Sequence, residues 1–437
     1  MTEQQTQAQP QPETPQGRSL PRALTPFRNL AYRRLALALI LSTFASGVWI
    51  VGLVWEVIRI GGGPGQLSTV STAAAVGVLL PALLGGVVAD RVPQKLILLV
   101  VAAVEVTGMG LVAALSLTDT TQVWHLATVS FVTGAAMAFY YPAYSAWLPA
   151  LVEERDLLAV NGFEGMIRPT IGQAIGPGVA GAVVGAISPG AAFSIAAVAS
   201  LAGLIALTAV PQTPVRREID PESVPRRPVA AALIDVREGF GYMVRTPWLL
   251  ATLLFASLLV LSIMGPFEVL VPFLIKDKLG GDAGDHAMVM AAFGIGGAVG
   301  SLVMASLRLP RRYLTVMNLG WGLGCLPVIV MGMATEVWVL VAAAFVFGAM
   351  FSFPMVIWGT LLQRRVPPHM LGRVASLDFF VSISLMPVSM ALAGPVSDAI
   401  GLRTTFLIAG ILPGVAAVVA TIAARLPADE LAHPLRD

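Results

Sequence analysis

From Leu35 onward the chain alternates between long apolar runs and short polar breaks. Twelve runs stand out, at about 35–59, 67–89, 96–117, 123–147, 163–186, 190–210, 248–274, 287–307, 313–334, 337–362, 374–397 and 404–425. Each is roughly 20 residues long, which is what a helix needs to cross the hydrocarbon core of a bilayer. In lipid a helix satisfies its own backbone hydrogen bonds, so these runs predict helices. The pattern therefore predicts an all-α integral membrane protein with twelve transmembrane helices. The longest polar connection, 211–247, falls between the sixth and seventh runs and divides them into two sets of six.

The two sets resemble each other. Phe131-Val132-x-Gly134-Ala135 recurs as Phe345-Val346-x-Gly348-Ala349, a shift of 214 residues. Ala186-Ile187 followed by Phe193-x-Ile195-Ala196 recurs as Ala399-Ile400 followed by Phe406-x-Ile408-Ala409, a shift of 213. Gly176-Pro177 finds an echo in Gly394-Pro395. The expected organisation is a disordered cytoplasmic tail at 1–30, rich in Gln, Pro and Thr. A six-helix bundle follows at 31–210, then a cytoplasmic linker at 211–247, a second bundle at 248–425 and a cytoplasmic tail at 426–437.

Composition agrees. Of the 437 residues, 56% are apolar and 12% charged, against roughly 25% charged in soluble proteins. Charge distribution sets the orientation. An even number of crossings puts both termini on one side. Segments on that side hold 22 of the 27 Lys and Arg. The opposite side holds four, Arg59, Lys276, Lys278 and Arg403, and Arg168 lies within a run. Basic residues stay cytoplasmic, so both termini are expected inside a plasma membrane. A net charge of +2 gives no reason to expect a nucleic-acid partner. The single cysteine, Cys325, and four scattered histidines offer neither a disulfide nor a metal-ligand spacing. There is no phosphate-binding Gly-Lys-Ser or Gly-Lys-Thr loop and no nucleophile elbow, so no enzymatic reading is supported and no cofactor or metal is expected.

Between the second and third runs lies Gly85-Gly86-Val87-Val88-Ala89-Asp90-Arg91-Val92-Pro93-Gln94-Lys95. Gly86 permits close helix packing, and the acid–base pair Asp90-Arg91 suits a charged hairpin facing the cytoplasm. The spacing Gly86-x-x-x-Asp90-Arg91-x-x-x-Lys95 resembles the loop after the second helix of the major facilitator superfamily of transporters, although Pro93 and Gln94 stand where that family usually has Gly and a basic residue. In the fifth run, Gly172-x-x-x-Gly176-Pro177-x-x-x-Gly181 is similar to the Gly-Pro motif of the exporting, proton-antiporting branches. The likeness covers the chain after its tail. It is closest in kind to the drug- and siderophore-exporting branch, which includes enterobactin and macrolide exporters. One departure concerns Gly134. Many drug antiporters carry an Arg four residues before the equivalent Gly, and here that place holds Ser130.

The resemblance implies two pseudo-symmetric six-helix bundles with a substrate site between them near mid-membrane. It implies export of small amphiphilic or hydrophobic molecules by proton antiport, by a monomer whose partners are its substrate, protons and the lipid bilayer. An importer or lipid flippase on the same fold is an alternative, as is a membrane sensor without transport. Charged residues inside spans are costly and usually functional. The proton-coupling candidates are Glu268, Glu56 and Glu105, with Glu268 first. Ser42, Ser46, Trp49 and Glu56 share one helical stripe, and Ser257, Leu261, Met264 and Glu268 share another. Glu164 and Arg168, four apart, read as a pair along their helix, with gating as the alternative. The Gly86-Asp90-Arg91-Lys95 loop is expected to act as a gate, with Asp90 meeting the start of the eleventh run near Arg373 to Asp378. Ser46, Trp49, Tyr140, Tyr144, Phe347 and Phe351 are the substrate-cavity candidates, with aromatic walls for an apolar ligand; helix packing is the alternative for each.

Overall fold

The computed structural model describes residues 22–435 apart from 83–87, 89–91, 154–155, 157–159, 161–162, 166, 213–227, 308, 368–373, 375–376 and 379. Its regular structure is helical, with no strand among the described residues. Ten helices are long and apolar enough to cross a membrane. In the first half they are span 1 (Leu30–Arg59), span 3 (Gln94–Leu117), span 4 (Val123–Leu151) and span 6 (Pro189–Thr208). In the second half they are span 7 (Pro247–Lys278), span 8 (Ala283–Ser306), span 9 (Tyr313–Met333), span 10 (Val337–Arg365), span 11 (Phe380–Ile400) and span 12 (Leu402–Ala423). The remaining two apolar runs carry helices among their described residues. Span 2 is Pro64–Leu79, and span 5 joins a widened, π-helical stretch, Arg168–Ile175, to Gly176–Ala186. Pro169 and Pro177 each remove a backbone donor, which is the usual reason a helix opens into such a turn. Span 7 does the same at Pro266–Leu270, beginning on Pro266, and again at Leu274–Lys278.

The repeat is structural as well as sequential. A β-carbon on Gly134 would collide with the Ala74 carbonyl of span 2, and one on Gly348 with the Phe293 carbonyl of span 8. The matched glycines therefore do the same job, letting spans 2 and 4, and spans 8 and 10, approach backbone to backbone.

The two halves meet chiefly through spans 5 and 8 and spans 2 and 11. The chain turns at 60–63, 187–188, 279–282 and 401 mark one end of the molecule, here the far end; the start of span 1 and the end of span 12 lie at the near end. At the far end the halves pack closely. There a β-carbon on Gly181 would lie 2.6 Å from the Ala287 β-carbon and 2.7 Å from the Ala283 carbonyl. Gly394 lies against Gly65, and its amide donates to the Ser68 hydroxyl at 3.0 Å. The apolar core follows suit. Far-end residues of the first half, such as Leu53, Val57, Leu67 and Phe193, belong to one cluster with the second half. Near-end residues such as Leu35, Ile97, Tyr144 and Trp147 form a separate cluster.

Three segments expected to be tails or linker are partly structured. Residues Arg22–Arg28 form a short helical turn, because Phe27 finds the rings of Tyr32 and Phe163 at 5.2 and 5.0 Å. The linker contains a helix, Pro228–Arg245, which fills the stretch between Pro228 and Pro247 where no proline interrupts. After span 12, Leu426–Ala432 is helical and docked. Glu430, 1% exposed, accepts from the Leu314 and Thr315 amides at 2.9 and 3.2 Å and from the Thr315 hydroxyl at 2.8 Å. It thereby caps the start of span 9 from a distant part of the chain. Arg365 of span 10 binds Asp429 and lies 4.7 Å from the Trp248 ring, and the Tyr313 hydroxyl donates to the His433 carbonyl at 2.8 Å. Glu430→Ala leaves two amides and a hydroxyl without their acceptor, at a cost of about 1–3 kcal/mol. The midpoint of thermal unfolding in detergent is expected to fall. An unchanged midpoint would show that these donors do not need the carboxylate.

Candidate functional site

The acids fixed by the spans sit in four different settings. Glu56, at the far end of span 1, is fully buried and clasped. Both its oxygens accept from the Arg59 guanidinium at 2.8 Å, and Ser116 of span 3 donates at 2.9 Å. Arg59 also reaches Asp119 and the Ser116 carbonyl. This is a saturated ion pair that ties span 1 to the turn after span 3.

Glu105, midway along span 3, is 4% exposed and accepts one hydrogen bond, from the Ser42 hydroxyl at 3.1 Å. It borders a cavity of about 30 Å³ between spans 1, 3, 4 and 6, lined also by Leu35, Val101, Tyr140 and Ser200. That is room for a water molecule beside the carboxyl. Ser42 therefore turns toward span 3. Trp49 on the same stripe packs on Phe193 of span 6, ring centres 5.2 Å apart. Ser46, one turn from each, is half-buried.

Glu164 gathers the aromatic residues of span 4. The Tyr144 hydroxyl donates to Oε1 in a short hydrogen bond. Arg168 stands 3.6 Å from Oε2, one turn later, with its guanidinium 5.3 Å from the Tyr141 ring. Tyr140 stacks on Tyr144 at 5.7 Å and also lines the Glu105 cavity. The pairing expected from the four-residue spacing is present, and Tyr144 supplies a partner that spacing along one helix does not reveal.

Glu268 lies on the widened turn Pro266–Leu270, which packs against spans 2 and 11 at the seam between the halves. It is half-buried and has no hydrogen-bond or ion-pair partner among the described residues. Its neighbour Phe267 points into an aromatic cluster. Phe347 lies 5.4 Å from both Phe267 and Phe293, and Phe351 lies 5.8 Å from Phe347. Phe347 is 1% exposed, so it serves helix packing in this conformation, while Phe351 is half-buried.

The glycines of span 5 have two partners. Gly172 and Gly176 lie against Thr43 and Gly47 of span 1, with Pro177 also at Gly47, and Gly181 lies against span 8. Of the loop residues, Gly86, Asp90 and Arg91 fall outside the described residues, as does Arg373. Lys95 donates to the Thr208 and Val210 carbonyls at 2.8 and 2.6 Å, and so caps the end of span 6. Asp378, which the sequence marks only as the edge of the gate, has partners of its own. It accepts from the Trp358 indole at 2.9 Å and the Ser382 hydroxyl at 3.2 Å. The 214-residue shift would have singled it out, because it maps Glu164 onto Asp378.

Residues 21–435 match the profile of a family described as transmembrane secretion effector. Among curated proteins the chain is 24% identical over 398 residues to the multidrug efflux pump Tap of Mycolicibacterium fortuitum, covering 89% of this chain and 94% of that protein. It is 27% identical to Tap of Mycobacterium tuberculosis, with 90% and 92% covered. With macrolide efflux protein A of Streptococcus pyogenes the identity is 23%, over 80% and 85%. The fold matches the nucleoside transporter NupG with a TM-score of 0.69 at 15% identity, covering 91% of this chain and 99% of NupG. A POT family transporter in complex with 5-aminolevulinic acid matches with a TM-score of 0.68 at 14% identity, over 90% and 96%.

Proposed function

Because the chain belongs to the transmembrane secretion effector family of the major facilitator superfamily, we propose that it is a secondary exporter of small amphiphilic or hydrophobic molecules, driven by proton antiport through alternating access. It works as a monomer in the plasma membrane, not as an enzyme, with both termini and the 211–247 linker in the cytoplasm. The basic asymmetry of the connections supports that orientation. The far end is then the outer face. On that orientation the contacts at Gly181 and Gly394 close the outer face.

The observation that carries this reading is Glu268, a carboxyl without a described partner, on a widened turn at the seam that must part when the molecule opens outward. Opening the seam gives Glu268 access to external protons, and closing it carries the proton inward. Each proton moving through 100 mV supplies about 2.3 kcal/mol. Glu105, beside its water-sized cavity, is the second coupling candidate. Glu56 is held by Arg59 and so fastens the outer end rather than exchanging protons.

Inverted membrane vesicles loaded with this protein test the direction. Energised by an inward-acid gradient, they are expected to accumulate a fluorescent amphiphile, and to release it when the gradient is collapsed. Accumulation in right-side-out vesicles instead would establish the importer reading. Ligand binding without flux in either would establish the sensor reading.

A further inference from the structure

The register shift of 214 relates more than glycines. Across spans 4 and 10 it also matches Phe139 with Phe353, Leu148 with Leu362 and Val152 with Val366. It continues past the turn, pairing Val160 with Val374, both fully buried. At the same shift Tyr144 falls on Trp358, Glu164 on Asp378 and Arg168 on Ser382. The structure keeps the correspondence. In each half an aromatic donor late in the even-numbered span holds a carboxylate at the start of the next, Tyr144 to Glu164 and Trp358 to Asp378. In each half the residue one turn later also touches that carboxylate, Arg168 at 3.6 Å and Ser382 at 3.2 Å.

The two constellations differ in charge. Arg168 neutralises Glu164, whereas Ser382 brings a hydroxyl to Asp378. No Lys, Arg or His among the described residues stands within ion-pair distance of Asp378. Arg365, which stacks on Trp248 nearby, is engaged by Asp429. The carboxylate instead takes the N–H of one indole, Trp358, whose ring belongs to a tryptophan cluster. Trp358 lies 6.3 Å from Trp248 and 6.5 Å from Trp321. A half-buried acid with neutral donors and aromatic neighbours suits a cation with an apolar body.

We infer that Asp378, oriented by Trp358 and Ser382, is the cation subsite for exported molecules, and that the substrate class includes lipophilic monocations. The inference rests on the exporter reading. In the first half the chain's own guanidinium meets the equivalent carboxylate; in the second half the cargo's cation does. Glu164 with Arg168 is the internally compensated twin, which pairs with itself and selects nothing.

The test is equilibrium binding of radiolabelled tetraphenylphosphonium to purified protein in detergent, with an uncharged naphthylamine dye as comparator. Asp378→Asn is expected to weaken the cation by about tenfold or more, the scale of one charged contact, and to leave the dye within about twofold. Ser382→Arg, which copies the first half, is expected to do the same with the acid still in place. Glu164→Gln leaves cation binding near wild type. Cation binding unchanged in both Asp378→Asn and Ser382→Arg overturns the inference, as does a wild type that binds no tetraphenylphosphonium. Loss of both ligands in both variants also overturns it, since the acid then holds structure rather than cargo. These measurements need no gradient. Failure here leaves the vesicle flux result standing, and failure of flux in either direction would not alter them.

Discussion

Glu268→Gln is expected to bind substrate normally and to lose uphill export. Gln keeps the size of the side chain and its capacity to accept a hydrogen bond, but it cannot take up and release a proton. For an uncharged cargo, a proton falling through 100 mV can hold a gradient of about fifty-fold, and that concentrating power should disappear while downhill exchange continues. The measurement is efflux from proteoliposomes under an imposed pH gradient, alongside ligand-induced thermal stabilisation. The same change at Glu105 is expected to give a partial loss, and at Glu56 a lower unfolding midpoint with coupling intact, because Glu56 is tied to Arg59. If Glu268→Gln exports against a gradient with the wild-type pH dependence, Glu105 is the carrier.

The second large effect is expected at the outer seam. Gly181 faces the Ala287 β-carbon and the Ala283 carbonyl at distances that leave no space for a side chain. Gly181→Ala forces spans 5 and 8 apart at a cost of about 1–3 kcal/mol, the range for overpacking. That cost falls on the closed-outside state alone, so the equilibrium shifts toward outward-open by about 5- to 150-fold. Cysteines placed along the seam should label faster from outside, and export should fall in step. Ala287→Gly removes the nearer obstacle, and the double variant should recover part of both. Labelling that does not change in Gly181→Ala would mean the seam does not open between these helices.

How much of this could be read from the sequence varied with the range of the interaction. The spans were legible because lipid sets their length and forbids unpaired backbone. The Glu164–Arg168 pair was legible because one helical turn fixes it. Ser42, Trp49 and Glu56 share a stripe by spacing, but a stripe does not say which neighbour it meets; Ser42 turns to Glu105 and Trp49 to Phe193. Around Glu268 the helical period itself changes. A π turn carries more than the usual residues per turn, so a stripe drawn at 3.6 residues drifts off the true face beyond Pro266. Asp378 does not stand out because a polar residue at the start of an apolar run reads as loop. Only the partner half, with Glu164 at the same register, marks it.

The docked C-terminal helix ties the timing of synthesis to the completion of the membrane domain. Leu314 and Glu430 are 116 residues apart. At 5–20 residues per second, the start of span 9 leaves the ribosome roughly 6–23 s before the carboxylate that caps it. During that interval the helix end must be kept by water, lipid headgroups or the insertion machinery. A premature stop between span 12 and Glu430 would leave the second bundle inserted yet unfinished, and open to the quality-control proteases that survey nascent membrane proteins.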